Sequence, residues 1–277
     1  MSVPHRVLSF GGGVQSHALL ALLGQGRYPG DAPEEIWLCD PHNERPQTYA
    51  FIERVTKSYC TRLGVPFITL ERHVSPSRGP DIREAYQRRA AYPLRSNRVC
   101  TVEWKVMARE CKRRGWHREG GVEKHIGISL DELHRARTGQ EQPWETKRYP
   151  LIEARLFRRD CIRLCQDEFG AVPVKSGCWW CKYQRPTQWR EVWEHRADGR
   201  WQQAVDWERA VVARRGPPPA CSSTRGHDAR WSSGHRHGLA ESNSPWISPR
   251  RRSVTVAIAW CRPMSCHRRK EHRCGRM

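Results

Sequence analysis

Short runs of apolar residues alternate with longer segments of helical spacing along the first 215 residues. Val7-Leu8-Ser9-Phe10 reads as a buried strand and is followed by three glycines and a helix from Ser16 to about Leu23. Glu35 to Cys39 reads as a second strand ending at Asp40, and Val65 to Leu70 as a third. Between them, Tyr49, Ile52, Val55 and Tyr59 fall at the spacing of one helix face, which predicts a helix over Thr48 to Leu63. Val102 to Arg113 is again helical, and His125 to Ser129 reads as a fourth strand. Strands alternating with helices through short links predict an α/β fold, a parallel sheet with helices on both faces. Ligands of such sheets bind beyond the carboxyl ends of the strands, where the glycines, Asp40 and Ser129 would lie.

Farther along, Arg158 to Phe169 and Thr187 to about Arg214 read as helices flanking a Cys-rich loop, a small helical Cys-containing subdomain. Trp189, Trp193, Trp201 and Trp207 recur at broadly helical spacing and read as core, although Arg185, Arg190 and Arg196 beside them leave nucleic-acid contact open. The periodicity stops near Gly216. We therefore expect an α/β domain over residues 1–155, a helical subdomain over 156–215 and a tail over 216–277. One plausible strand, Ser253 to Trp260, lies in the tail. Three readings of the tail stay open: a basic disordered arm, a metal-binding segment built on Cys261, Cys266, His267, His272 and Cys274, or the translation of a shifted reading frame.

Composition narrows the class. Of 277 residues, 38% are hydrophobic, and the net charge is +20, which points to a polyanionic partner such as nucleic acid or a nucleotide. The tail holds twelve basic against three acidic residues, so almost half of that charge lies outside the periodic body. No apolar run reaches the length of a membrane span, and MSVPHRVLSF lacks the features of a secretory signal, so a cytoplasmic protein without membrane contact is expected. Twelve cysteines in such a chain suggest thiols or metal rather than disulfides.

The chemistry begins at Ser9-Phe-Gly-Gly-Gly-Val-Gln-Ser16. Ordered glycine costs entropy, so Gly11, Gly12 and Gly13 form either a tight turn or a backbone bare enough for phosphate. No Gly-Lys-Ser/Thr follows, and the spacing is not GxGxxG. The stretch does resemble the PP-loop of the ATP pyrophosphatase superfamily, Ser-Gly-Gly-x-Asp-Ser after the first strand. Gly11 then takes the first Ser, Gly12, Gly13 and Ser16 match, and Gln15 replaces the Asp. That replacement resembles the phosphoadenosine-phosphosulfate (PAPS) reductase-like branch. Further segments follow in that branch's order: CDPHNERPQTYAFIERV from Cys39, RVCTVEWKV from Arg98, GISLDELHRAR from Gly127, then RYPLIE and VKSGCWWCKYQRP. The resemblance runs from about Val7 to Arg200, with Lys182 where the branch ends Cys-x-x-Cys-Pro.

It implies an adenine nucleotide alpha hydrolase-like fold that binds ATP with magnesium and cleaves it between the α and β phosphates. Ser9, Gly11, Gly12, Gly13, Gln15, Ser16, Asp40 and Gly127 would bind the nucleotide, Asp40 through the ribose or magnesium. Arg98 and Lys105 would stabilise charge, and Asp131, Glu132 and Arg135 would contact substrate or metal. Asp40 as a strand-end cap, and Asp131 with Glu132 as a solvated helix start, are the structural alternatives. Cys178 and Cys181 have the spacing of paired ligands, with Cys100 as the third. A [4Fe-4S] cluster would need Cys161, Cys165 or another thiol, or an open iron site, while zinc or free thiols stay open. The function implied is adenylation of an acceptor, with nucleic acid suiting the charge and an amine or sulfur donor displacing AMP. Two alternatives remain: a thiol-dependent reductase of adenylylated sulfate, and a basic zinc-stapled nucleic-acid-binding protein with an inactive nucleotide site.

Overall fold

The computed structural model describes residues 3–40, 42–70, 82–92, 107–136, 142–216, 248–250 and 253–255. Five strands form one parallel sheet: β1 (His5–Phe10), β2 (Glu35–Cys39), β3 (Phe67–Leu70), β4 (Val122–Ile126) and β5 (Glu145–Arg148), in the order β3-β2-β1-β4-β5. Alternation along the strands divides the core. Leu8, Phe10, Ile36 and Leu38 face one side, where helices α1 (Val14–Gly24), α3 (Lys57–Arg62) and a later helix cover them. Val7, Trp37, Leu70 and Val122 face the other, against Trp116 and against Met107 and Cys111. Both faces are therefore covered, as the apolar pattern predicts.

The chain builds outward from β1 to β2 and β3, then returns to place β4 on the opposite side of β1. The order reverses at β1, and in open parallel sheets the ligand crevice lies beyond the strand ends at such a reversal. The glycines follow β1, and Gly127 follows β4.

The second strand and the helix Arg158–Phe169 fall where the pattern puts them, but β4 does not. The expected strand His125–Ser129 is a three-residue misplacement: the sheet uses Val122–Ile126, and Gly127–Ser129 form the loop beyond. Charge hides the true strand. Lys124 is buried and paired with Glu145, which is fully buried on β5. His125 is buried between the Tyr28 hydroxyl, 2.8 Å from its Nδ1, and Glu123, 2.8 Å from its Nε2. β5 itself, Glu-Thr-Lys-Arg, has no apolar residue and was not expected.

The helix expected over Thr48 to Leu63 runs as α2 (Pro46–Phe51), a π-helical turn (Ile52–Thr56) and α3. After β3 in the chain come α4 (Ile82–Arg88) and α5 (Met107–Arg113), the described part of the helix expected over Val102 to Arg113, whose first residues lie outside the described ones. After β5 come α6 (Pro150–Glu153) and α7 (Arg158–Phe169). Gln15 bonds Arg158 near the start of α1 and α7, and Gln25 bonds Glu168 near their ends, so the two helices run parallel with their N-termini at one end.

The chain divides at Lys182/Tyr183, so the expected boundary after 155 falls inside the first unit, and α7 and the Cys-x-x-Cys loop belong with the sheet. In the second unit the long helix expected from Thr187 is broken. It runs as α8 (Pro186–Glu194), a 3-10 turn (Arg196–Asp198) and α9 (Arg200–Arg215), because Gly199 adopts φ +81°. Trp189 and Trp193 stand edge-on to Trp201 at 6.5 and 5.0 Å. In the tail, Ser248–Arg250 pairs antiparallel with Ser253–Thr255, the start of the expected strand, whose remainder lies outside the described residues. Among the described residues no helix is long and apolar enough to cross a membrane.

Candidate functional site

The three glycines do different things. Among the described residues, no atom beyond its chain neighbours lies within 4 Å of where a side chain on Gly11 would start. Gly12 takes a left-handed φ of +66°, and a Cβ there would lie 2.7 Å from the Thr48 methyl of α2. Gly13 is the N-cap of α1, and its Cβ would meet Ser176 Oγ at 2.9 Å. The loop thus lies against α2 and the segment before Cys178; a side chain on Gly12 would strain the backbone and crowd Thr48, and one on Gly13 would turn the Ser176 hydroxyl aside.

The Gly13 carbonyl is turned into the helix. It accepts from Ser16 Oγ (2.9 Å), from the His17 N–H (3.1 Å) and from His17 Nδ1 (2.9 Å). His17 is fully buried, and its Nε2 lies 2.8 Å from Thr56 Oγ1 in the π-helical turn. Burial holds the ring neutral, its pKa lowered to about 4 against the pull of the Gly13 carbonyl. With that carbonyl turned inward, the first N–H groups of α1 point toward the crevice. No side chain among the described residues caps them, and the first turn holds no acid. The Thr48 hydroxyl is also buried without a hydrogen-bond partner among the described residues.

Gly127 lets β4 approach this turn. A Cβ there would stand 3.1 Å from Gln15 C and 3.1 Å from Ser16 N. Gly127→Ala is therefore expected to lower the melting temperature by roughly 2–6 °C, a cost of about 1–2 kcal/mol, and thermal denaturation measures it directly.

Gln15 does not face the crevice as a free group. Its Oε1 accepts from Arg158 (2.9 Å), and its Nε2 donates to Glu132 Oε2 (3.1 Å), which also takes Arg135 at 2.7 Å. Asp131 is exposed, lies with Glu132 in the first turn of the 3-10 helix Leu130–Arg135, and accepts the Arg158 N–H at 2.9 Å. Ser9 is half-buried inside β1, opposite Trp37 and Ile126. At the end of β2, Asp40 Oδ1 accepts from the Tyr49 hydroxyl (2.6 Å) and the His42 N–H (2.7 Å). Burial, with the Asp40 carboxylate beside it, raises the Tyr49 phenol and keeps it protonated.

The next residues carry the Cys-x-x-Cys loop. Asn43 accepts the Trp179 N–H at 3.1 Å and the Trp180 indole N–H at 2.9 Å, Glu44 accepts the Gly177 N–H at 2.5 Å, and Glu44 and Cys178 form an isolated antiparallel bridge. Burial pushes the Glu44 carboxyl up to about 7, against the Gly177 N–H that lowers it. Cys178 and Cys181 are half-buried, the Cys181 N–H closing a turn on the Cys178 carbonyl at 3.1 Å.

The structure therefore brings the glycines, Gln15, Ser16 and Gly127 together, and ties the segments after Asp40 and before Cys178 to them. Arg98, Cys100 and Lys105 lie outside the described residues. Cys161 and Cys165 are not brought to Cys178. They are fully buried in the core under α1, Cys165 Sγ donates to the Val14 carbonyl at 3.5 Å, and burial pushes both thiols up to about 12. No group of three His, Cys, Asp or Glu among the described residues is placed to hold a metal ion. Sequence reasoning passed over His17, Asn43, Glu44, Thr48, Arg158 and Ser176. The one available signal was a histidine interrupting the apolar run of α1.

No protein-family model matches the chain, and no curated protein matches it. Two solved structures resemble it in fold. One is a phosphoadenylyl-sulfate (PAPS) reductase from Candida auris in a phosphate complex, 15% identical over 61% of this chain and 74% of that one, with a TM-score of 0.38. The other is the U34-tRNA thiolase NcsA from Methanococcus maripaludis with its [4Fe-4S] cluster, 13% identical over 79% of this chain and 75% of that one, also at 0.38.

Proposed function

We propose that the crevice beyond β1 and β4 is an adenine-nucleotide site, and that the chain cleaves ATP between its α and β phosphates to adenylate an acceptor. The observation that carries this reading is the start of α1: an uncapped helix N-terminus without acids, entered through a loop in which Gly12 takes a left-handed φ and Gly13 closely approaches Ser176. Such N–H groups and the helix dipole favour a phosphate oxygen. Gly11, Gly12, Gly13 and Ser16 would cradle the pyrophosphate end. Asp40 Oδ1 is held by Tyr49 and His42, and magnesium or the ribose would take Oδ2 in place of its 3.8 Å contact with His42 Nδ1. Arg98 and Lys105 would add charge from the segment before α5.

An acceptor nucleophile would attack the α phosphorus as the bond to the bridging oxygen breaks, and pyrophosphate would leave with that electron pair. The loop supplies placement and charge stabilisation rather than covalent chemistry. AMP on the acceptor is then displaced by an amine or sulfur donor. The net charge of +20 suits a nucleic-acid acceptor in the cytoplasm.

Cys178 and Cys181 supply two soft ligands on one turn, and Cys100 would be the third. Zinc there would staple the loop, and an iron–sulfur cluster would add a Lewis-acidic iron. Cys178→Ser is expected to strip iron or zinc from protein purified without air. Full metal content retained by the variant would exclude this ligand set.

The deciding experiment measures ATP binding and pyrophosphate release with magnesium, in competition with AMP and PAPS. Binding and release are expected with ATP. Turnover of PAPS with thioredoxin would favour the reductase. Salt-sensitive nucleic-acid binding without any nucleotide binding would favour the stapled module.

A further inference from the structure

We infer that Arg158, held by Gln15, recognises the pyrophosphate end of the nucleotide, an assignment that rests on the nucleotide reading above. Arg158 opens α7, whose N-terminus lies at the same end as that of α1. Two parallel helix dipoles with neighbouring positive ends repel, and an arginine in the first turn adds to the repulsion. Two acids serve the start of α7: Asp131 accepts the Arg158 N–H at 2.9 Å, and Asp160 accepts the Phe157 N–H at 2.9 Å, while Glu132 meets α1 only through the Gln15 side chain and is paired with Arg135. The first turn of α1 has no acid. Its positive end, facing the crevice, is the one left for an anion.

Gln15 aims the arginine without neutralising it. Its amide oxygen accepts from Arg158 at 2.9 Å, and its amide nitrogen donates to Glu132 at 3.1 Å. The charge of Glu132 is met by Arg135 at 2.7 Å. Arg158 makes no ion pair with a carboxylate among the described residues, so its charge and its unused fork donors remain for a ligand beside the second residue of α1. A carboxylate at position 15 would pair with Arg158 and repel Glu132. The amide does neither.

Titration calorimetry with inorganic pyrophosphate, ATP and AMP on the full chain tests this. Arg158→Gln is expected to weaken pyrophosphate and ATP about tenfold or more, and AMP by less than about threefold, because hydrogen bonds to charged groups are the strong ones. Gln15→Glu should reproduce the pattern by neutralising Arg158, which keeps the test alive if Arg158→Gln fails to fold. A merely structural Arg158 would shift the melting temperature and leave the pyrophosphate-to-AMP ratio unchanged, which overturns the inference alone. A wild-type chain that binds neither pyrophosphate nor ATP overturns the nucleotide reading together with it.

Discussion

Gly11→Asp is expected to abolish ATP and pyrophosphate binding while leaving the fold intact. The position permits that separation, because among the described residues no atom beyond its chain neighbours lies within 4 Å of the new Cβ and the backbone there is not left-handed. The new carboxylate would stand at the entrance to the α1 turn. At about 4 Å, a like charge costs roughly 4 kcal/mol in a partly screened site, about a thousandfold in affinity. Gly11→Ala adds the carbon without the charge and should bind within about threefold of wild type by the same reasoning. Gly12→Ala behaves differently, since its left-handed φ and the 2.7 Å approach to Thr48 make it a stability variant. It should lose about 1–3 kcal/mol whatever the ligand. Calorimetry with pyrophosphate beside a thermal melt separates the three. Pyrophosphate binding unchanged in Gly11→Asp would show that the glycines are a plain turn.

Which parts of this arrangement the sequence reveals follows from where charge is buried. β1 and β2 are covered on both faces by carbon, so they stand out as apolar runs, and helix α7 carries a clear amphipathic spacing. β4 and β5 are held by a buried Lys124–Glu145 pair and by His125 between Tyr28 and Glu123. A charged residue whose partner is on the next strand looks solvated when only its own segment is read. The same limit governs the site. The glycines, Gly127 and Cys178 could be singled out because glycine and paired cysteine announce their constraints locally. Gln15 is expected at the nucleotide from the loop alone, but its pairing is not legible, since its partners Glu132 and Arg158 lie more than a hundred residues away. Nor is the burial of Cys161 and Cys165, which follows from the packing of α7 on α1.

Acidification from pH 6.5 to 4 is expected to cost the fold about 3 kcal/mol through His17, since each pKa unit of difference is worth about 1.4 kcal/mol. Burial lowers the His17 pKa to about 4 in the folded chain, and the unfolded chain returns it to the ordinary value of 6.5. The unfolded state therefore binds the extra proton first. The stability that the neutral ring contributes is complete above pH 6.5, declines as pH falls, and is lost below about 4. The cost comes from charge in an apolar site rather than from a broken bond. Thr56 can turn its hydroxyl to accept from a protonated Nε2, whereas Phe10, Phe51 and Phe169 surround the ring and offer the charge no compensation comparable to water. His125 is also lowered by burial and adds to the wild-type slope with the same sign, so the measurement has to be a difference. His17→Asn keeps a donor toward the Gly13 carbonyl, loses the Thr56 contact, and removes the titration. Its melting temperature should start below wild type at pH 7.5 and fall less steeply between pH 6.5 and 5; Glu44, raised to about 7, titrates in the same interval with the opposite sign, but in both chains, so the difference removes it. Because His17 fixes the Gly13 carbonyl, the variant should also weaken pyrophosphate binding. Parallel melting curves for the two chains across that interval would mean that His17 is protonated in the fold, and that the loop is not held by a neutral ring.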